Sequence, residues 1–321
     1  MDHIVPEISV VMSVFNGARY LKAAVDSILS QDCLTFEFVI VDDGSTDESP
    51  EILEQYATAD SRVRLLHQNN TGLTQALIRG CDVARGEFIA RQDADDISLP
   101  GRLRKQADLL KSDPRLVFVS CQAQVIAPGG EVVLTHTRPI TPEAATQLLV
   151  HGGTGPPGHG SVMFRAGDYQ KVGGYRAEFY FAQDCDLWFR LAERGLLSYL
   201  PECLYQYRLD PRSVSGSRDA IKRAFAQAVG DCRALRESGQ SEEMVLARCR
   251  NLLSRSTERS SSSEAATLYF LGRNLLTTKP LAACNYLLRS LWHQPVNPRA
   301  WTCLFLSPLM YLRSLFGDCR T

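Results

Sequence analysis

Two short apolar runs in this chain stop abruptly in clustered acids, and that recurrence constrains the fold more than any other feature. Residues 36–41 run straight into Asp42 and Asp43, and residues 88–90 run through Arg91 and Gln92 into Asp93, Ala94, Asp95 and Asp96. Short β-branched or apolar runs without alternation suit strands buried on both faces of a parallel sheet. Residues 8–14 and 63–66 have the same character, and helical spacing fills residues 20–29, 74–84 and 103–110 before residues 116–121 return to strand. Strands alternating with helices in this way predict βαβ units with right-handed crossovers and a sheet covered on both faces. In such a sheet the acids after the second and fourth strands emerge at one edge, where open α/β folds bind ligands. Three carboxylates packed together repel one another unless a cation joins them. Mg²⁺ or Mn²⁺, held by one or two carboxylates with diphosphate oxygens in the remaining positions, answers that repulsion. The plain alternative is a solvated turn that caps the next helix, but two acidic turns, both at strand C-termini, weigh against it.

The formal net charge is −1 and no long basic stripe is present, which argues against nucleic acid as the main partner. Ten cysteines are scattered with no Cys-x-x-Cys pair, a pattern for neither a zinc site nor a stapled secreted domain. Reduced thiols and a cytoplasmic setting are the expectation. The first residues lack a basic start and a long apolar segment, so no secretory signal is read there. No run reaches the roughly 18 apolar residues of a spanning helix. Residues 301–312 come nearest; they read as a buried helix, with a peripheral place on the inner face of a membrane as the alternative.

From Val125 onward the pattern predicts a hairpin around Gly129-Gly130, a helix over 141–150 and a Gly/Pro-rich binding loop over 151–160. A strand over 161–165, a turn over 172–175 and a helix over 186–194 follow. Asp184 then stands at or just before a helix start, where its plain role is capping. After Arg218 the strands stop, and helical segments at about 219–237, 242–256, 264–277, 280–293 and 298–316 carry no chemical motif. The expected division is an α/β domain over residues 1–217 and a helical region over 218–321.

Several ordered motifs resemble the inverting family 2 glycosyltransferases. They are Val10 through Gly17 for the opening strand, Val41 through Asp47 for the uridine signature, Asn69 through Leu73, Ala84 through Ile89, and Asp93-Ala94-Asp95-Asp96 for the Asp-x-Asp motif. His159 through Arg165, Val172 through Tyr175 and Gln183 through Trp188 resemble the acceptor-side segments. The resemblance covers about residues 6–217 and implies a GT-A fold, a Rossmann-like and mostly parallel sheet, with the helical C-terminal region as an extension. It implies a nucleotide-sugar donor, UDP-linked, and a glycan or lipid-linked acceptor, as in bacterial surface-polysaccharide assembly. Ser13, Phe15, Asn16, Asp42 and Asp43 would line the nucleoside side, with Asp42 accepting from the uracil ring N–H. Asp93 and Ala94 would lie against the ribose, and Asp95 would hold the divalent ion together with Asp93. Asp184 would be the general base, with Asp186 the runner-up. His159 would face the acceptor with Trp188, although Trp188 also shares a helical stripe with Leu187 and Leu191 that reads as core.

Some positions depart from the family pattern. Ser13 stands where proline is common and Phe15 where tyrosine is common, which keeps a stacking face and loses a phenolic hydrogen bond. Gln183 replaces a usual glutamate, removing a charge that would raise the pKa of Asp184. Asp210 stands where histidine is common and is a candidate third metal ligand. Arg212-Ser213-Val214-Ser215 is similar to the loop that closes over the donor, with Arg212 a diphosphate contact. The alternative readings are a nucleotidyltransferase, for which the loop after the first strand is poor in glycine and base, and a sugar-nucleotide binder without turnover.

Overall fold

The computed structural model describes residues 5–32, 35–212, 219–253 and 261–316. Strands β1 (Ile8–Val14), β2 (Phe36–Asp42), β3 (Val63–His67) and β4 (Phe88–Asp93) lie in the order β3-β2-β1-β4, all parallel. Helices α1 (Ala18–Leu29), α2 (Ser49–Ala59) and α3 (Leu73–Asp82) connect them. The strands are continuously apolar because alternate residues feed two different cores. Val10, Met12, Val14, Phe38, Ile40 and Ala90 enter one cluster, whereas Val11, Val39 and Ile89 enter the other. α1 meets the first cluster with Leu21, Val25 and Ile28, a one-sided stripe at helical spacing.

The chain continues through β5 (Ile97–Ser98), α4 (Arg102–Ser112), β6 (Leu116–Ile126), β7 (Val132–His136) and α5 (Pro142–Val150). It then forms β8 (Met163–Arg165), α6 (Ala166–Lys171), α7 (Gln183–Ala192) and β9 (Leu196–Arg208). The sheet is mainly parallel on one side and mixed on the other. β8 runs antiparallel between β4 and β6, β9 and β5 extend that edge, and β7 pairs with β6 in the expected hairpin. The strand expected over 161–165 is shorter, because His159–Ser161 forms a single 3₁₀ turn in which the Ser161 hydroxyl donates to the Gly158 carbonyl at 2.6 Å. β9 has no counterpart among the expected strands, since Pro201 and Glu202 break its apolar pattern.

Register fixes the edge. β1 pairs Val14 with Asp42 of β2 and Ser13 with Asp93 of β4, so the two acidic strand ends flank the end of β1. Two strand spacings separate them, roughly 10 Å.

The chain forms two compact units. The first comprises Met1–Ala123, His136–Tyr207 and Arg223–Arg255, and the second Gln124–Thr135, Arg208–Lys222 and Ser256–Thr321. Most of α8 (Asp219–Glu237) and all of α9 (Glu243–Leu253) group with the first. Ion pairs account for this: Arg176 reaches Glu242 at 2.9 Å and Arg236 reaches Glu193 at 2.8 Å. The second unit holds α10 (Ser261–Leu275), α11 (Pro280–His293) and α12 (Pro298–Phe316). No helix among the described residues is long and apolar enough to cross a membrane.

Candidate active site

The loops after β1 and β2 are stitched into one surface. Asn16, with a left-handed φ of 52°, accepts from the Thr46 N–H at 2.8 Å and donates its own N–H to the Ser45 hydroxyl at 3.0 Å. Asp47 accepts from the Ala18 N–H at 3.1 Å. Ser13 is half-buried beneath this surface, and Phe15 is 51 % exposed beside it, a free aromatic face next to the sheet edge. Asp42 is buried. One of its oxygens accepts from the Ser45 N–H at 3.1 Å and the other lies 3.0 Å from His67 Nδ1. His67 Nε2 lies 3.0 Å from Glu54, and the two carboxylates, Asp42 first, raise the pKa of His67 above 6.5.

Asp43 is equally buried but turns the other way. It accepts from the backbone N–H groups of Thr71 and Gly72 at 2.9 and 2.8 Å and from the Gln68 side chain at 2.7 Å. Asp43 therefore fixes the 68–72 loop. Gly44 makes this turn possible: its φ is 75°, and a Cβ there would stand 2.7 Å from the Asn70 nitrogen.

At the end of β4 a buried arginine organises the acids. Arg91 donates to Asp93 Oδ1 at 2.8 Å and to the backbone carbonyl of Val11, tying β4 to β1. Burial opposes its charge, but Asp93 and its phenolic and thiol neighbours outweigh burial and hold its pKa above the ordinary value. Its Nε lies 3.4 Å from His159 Nε2, which is also 2.6 Å from the Tyr175 hydroxyl. Burial, together with the Arg91 charge, drives the His159 pKa well below 6.5, so the ring is neutral and Nε2 accepts from Arg91. A second buried arginine, Arg102, donates to the carbonyls of Gly160 and Arg91 and packs over the Tyr205 ring at 5.2 Å. The Tyr205 hydroxyl donates to Asp96 at 2.8 Å. Gly160 is required here, because a Cβ would fall 1.8 Å from that hydroxyl oxygen. Asp96 thus serves the wall of the site, while half-buried Asp93 and Asp95 stand at its edge.

The acids at α7 divide in the same way. Asp186 is buried and ion-paired with Arg190 at 2.6 Å and Arg176 at 3.7 Å. Asp184, half-buried in the first turn, accepts from the Cys185 N–H at 2.8 Å, and the Cys185 thiol and its own backbone N–H also favour its charged form. Burial raises its pKa above 3.8, and the Asp93 charge adds to the rise. The Tyr175 phenol, also raised, feels Asp184 and Asp93 together. The carboxylates at the end of β4 and at the start of α7 therefore share one electrostatic neighbourhood. The charge missing at Gln183 is replaced in its effect by desolvation. Ala182, just before α7, has a φ of 58°; it and Asn16 are the two non-glycine residues with left-handed φ among the described residues. An alanine in that conformation costs about 1 kcal/mol, strain held beside Asp184. Trp188 is 2 % exposed, stacked on Phe118 at 5.5 Å, and offers little surface to an acceptor. His159 lies edge-on to it at 5.7 Å.

Residues 9–173 match the family of glycosyl transferase family 2. The chain belongs to that family. As a family 2 glycosyltransferase it is an enzyme, and it is 36 % identical over 223 residues to EpsE of Bacillus subtilis, covering 68 % of this chain and 76 % of EpsE. It is 26 % identical over 236 residues to a chondroitin synthase of Escherichia coli, covering 73 % of this chain and 33 % of that longer protein. The mannosyltransferase PcManGT from Pyrobaculum calidifontis, solved with GDP-Man and Mn²⁺, superposes with a TM-score of 0.56 at 19 % identity, covering 99 % of this chain and 89 % of its own. The fold is accordingly of the GT-A kind.

The family 2 site tolerates a metal on its chemistry. Asp93 keeps one oxygen without a hydrogen-bond partner among the described residues, and Asp95 follows two positions on at the same turn. No group of three His, Cys, Asp or Glu side chains converges among the described residues, so protein atoms alone do not complete a coordination shell. That donor set suits a cation such as Mg²⁺ or Mn²⁺, whose remaining positions go to phosphate oxygens and water. Asp210, in the second unit, accepts from the Arg212 N–H at 2.8 Å and pairs with its guanidinium at 3.2 Å, so these two candidates engage each other. Residues 213–215 of the expected closing loop lie outside the described residues. Sequence reasoning missed Arg91, Arg102, Tyr175 and Tyr205 as site-building residues. The one available signal was Arg91 itself, a charge set directly after the apolar run of Phe88, Ile89 and Ala90 within the same strand.

Proposed function

We propose that the protein is an inverting glycosyltransferase that moves a sugar from a UDP-linked donor to a hydroxyl of a glycan or lipid-linked acceptor in polysaccharide assembly. The observation that carries this reading is the strand register that sets Asp42 and Asp93 on either side of the end of β1, and it is supported by Asp184, whose pKa is raised by burial and raised further by the Asp93 charge. Asp184 takes the acceptor hydroxyl proton while that oxygen bonds to the anomeric carbon and the bond from that carbon to the diphosphate oxygen breaks. The proton ends on Asp184 and the electron pair on the departing nucleoside diphosphate. Asp93 and Asp95 would hold Mn²⁺ or Mg²⁺, which would neutralise the charge growing on that diphosphate. Asp186 is the poorer base because two arginines already hold its carboxylate.

On the donor side, Phe15 stacks on the base and Asp42 accepts from a ring N–H. Ser13, Asn16 and Ala94 line the nucleoside and ribose. The chondroitin synthase relative supports a polysaccharide acceptor, and PcManGT supports a divalent ion. Calorimetry with UDP and GDP, each with and without Mn²⁺, tests the donor side: UDP binds more tightly than GDP, and Asp95→Ala removes the Mn²⁺-dependent part of the affinity. Unchanged UDP affinity in Asp95→Ala with Mn²⁺ present defeats the metal assignment, and tighter GDP binding reassigns the base.

A further inference from the structure

We infer that α11 and α12 form a face that binds the surface of an anionic lipid bilayer. From Ala265 to Gly317 the sequence carries five basic residues and no Asp or Glu, in a chain whose total charge is −1. Arg273, Lys279, Arg289 and Arg299 are all exposed, and none is ion-paired among the described residues. α11 has two faces: Ala283, Tyr286, Leu287 and Leu291 are buried, while Leu281, Leu288 and Trp292 recur at i, i+7 and i+11 on the outside. Trp292 is 87 % exposed, and α12 adds Trp301 and Phe305, whose rings lie 6.3 Å apart, the latter 76 % exposed.

Aromatic and leucine side chains rimmed by unpaired basic groups are the composition of a helix lying in a lipid headgroup layer. No helix among the described residues is long and apolar enough to span, so the inference concerns binding at the surface. A second copy of the same face is the poorer occupant, because an isologous contact would bring the basic rims together with no acid to answer them. A bilayer carrying anionic headgroups supplies both the missing charge and a medium for the two tryptophans.

The full-length protein is mixed with vesicles of phosphatidylcholine, with and without phosphatidylglycerol, and followed by co-sedimentation and tryptophan fluorescence. Trp188 is buried, so an emission shift reports Trp292 and Trp301. The protein sediments with phosphatidylglycerol vesicles at low salt, its emission moves to the blue, and added salt releases it. Neutralising one exposed arginine, as in Arg289→Gln, weakens partitioning about five-fold. Trp292→Ser with Phe305→Ser abolishes binding while UDP affinity and the melting temperature stay as in the wild type. Equal sedimentation with both vesicle types, or undiminished binding by the double variant, overturns the inference. So does a dimer seen by light scattering without lipid that the double variant dissolves, since the face then binds a second copy. None of these readings involves sugar transfer, so they stand apart from the fate of Asp184.

Discussion

The sheet edge at β2 and the start of α7 each present two closely spaced acids, and in each place the pair is divided between two kinds of work. Asp42 sits between Ser45 and His67 at the sheet edge, whereas Asp43 is consumed by the backbone N–H groups of Thr71 and Gly72 that it holds in place. At α7 the order is the same: Asp184 forms no ion pair among the described residues and has a raised pKa, whereas Asp186 is ion-paired with Arg190 and Arg176. A buried carboxylate is stable where donors satisfy it and chemically useful where they do not. The two regions differ in what satisfies the structural member. Backbone N–H groups at β2 make a rigid loop, and guanidinium groups at α7 make a rigid helix start.

The largest expected effect separates the α7 pair. Asp184→Asn lowers transfer about 10²- to 10⁴-fold with UDP affinity unchanged. Because burial raises its pKa above 3.8, the fold prefers Asp184 protonated: that stability is fully present below 3.8 and is lost as pH rises through the raised value. Asp184→Asn therefore melts higher than the wild type at neutral pH, and the wild-type rate climbs with pH through the same window. Near-normal turnover by the variant moves the base elsewhere. Next comes Asp186→Asn, which leaves the buried Arg190 guanidinium without its carboxylate partner and destabilises by about 3–5 kcal/mol in denaturant titrations. If it instead loses transfer with no loss of stability, the α7 roles are exchanged.

Asp43→Asn sharpens the β2 side. Losing the charge beneath the 68–72 loop costs about 1.5–3 kcal/mol, read by chemical denaturation, and raises KM for the donor more than it lowers kcat. The smallest effect belongs to His67→Gln. The carboxylates raise the pKa of half-exposed His67 above 6.5, so its contribution is fully present below 6.5 and fades as pH rises through the raised value. The variant shows a stability of a few tenths of a kcal/mol less at low pH and no such fade. A fade that persists in the variant assigns it to another group.

Much of this protein was legible in its residues. The continuous apolar runs of β1, β2 and β4 dictate a two-sided burial that only a covered sheet provides, and acids placed directly after two parallel strands must share an edge. The ordered motifs then named the family and the acids to watch. What the residues could not show is how identical side chains divide their duties. Asp42 and Asp43, or Asp184 and Asp186, are equivalent in composition and nearly so in position; their difference arises from partners up to tens of residues away, such as Gly72, His67, Arg176 and Arg190. Arg91 and Arg102 are the same lesson reversed, two charges that pattern reading assigns to water and the fold encloses, because carbonyls of Val11, Arg91 and Gly160 meet them there. Local order along the chain determined strands, helices and candidate chemistry. Desolvation and long-range hydrogen bonding, which exist only once distant segments pack, decided which carboxylates are held and which are left to react.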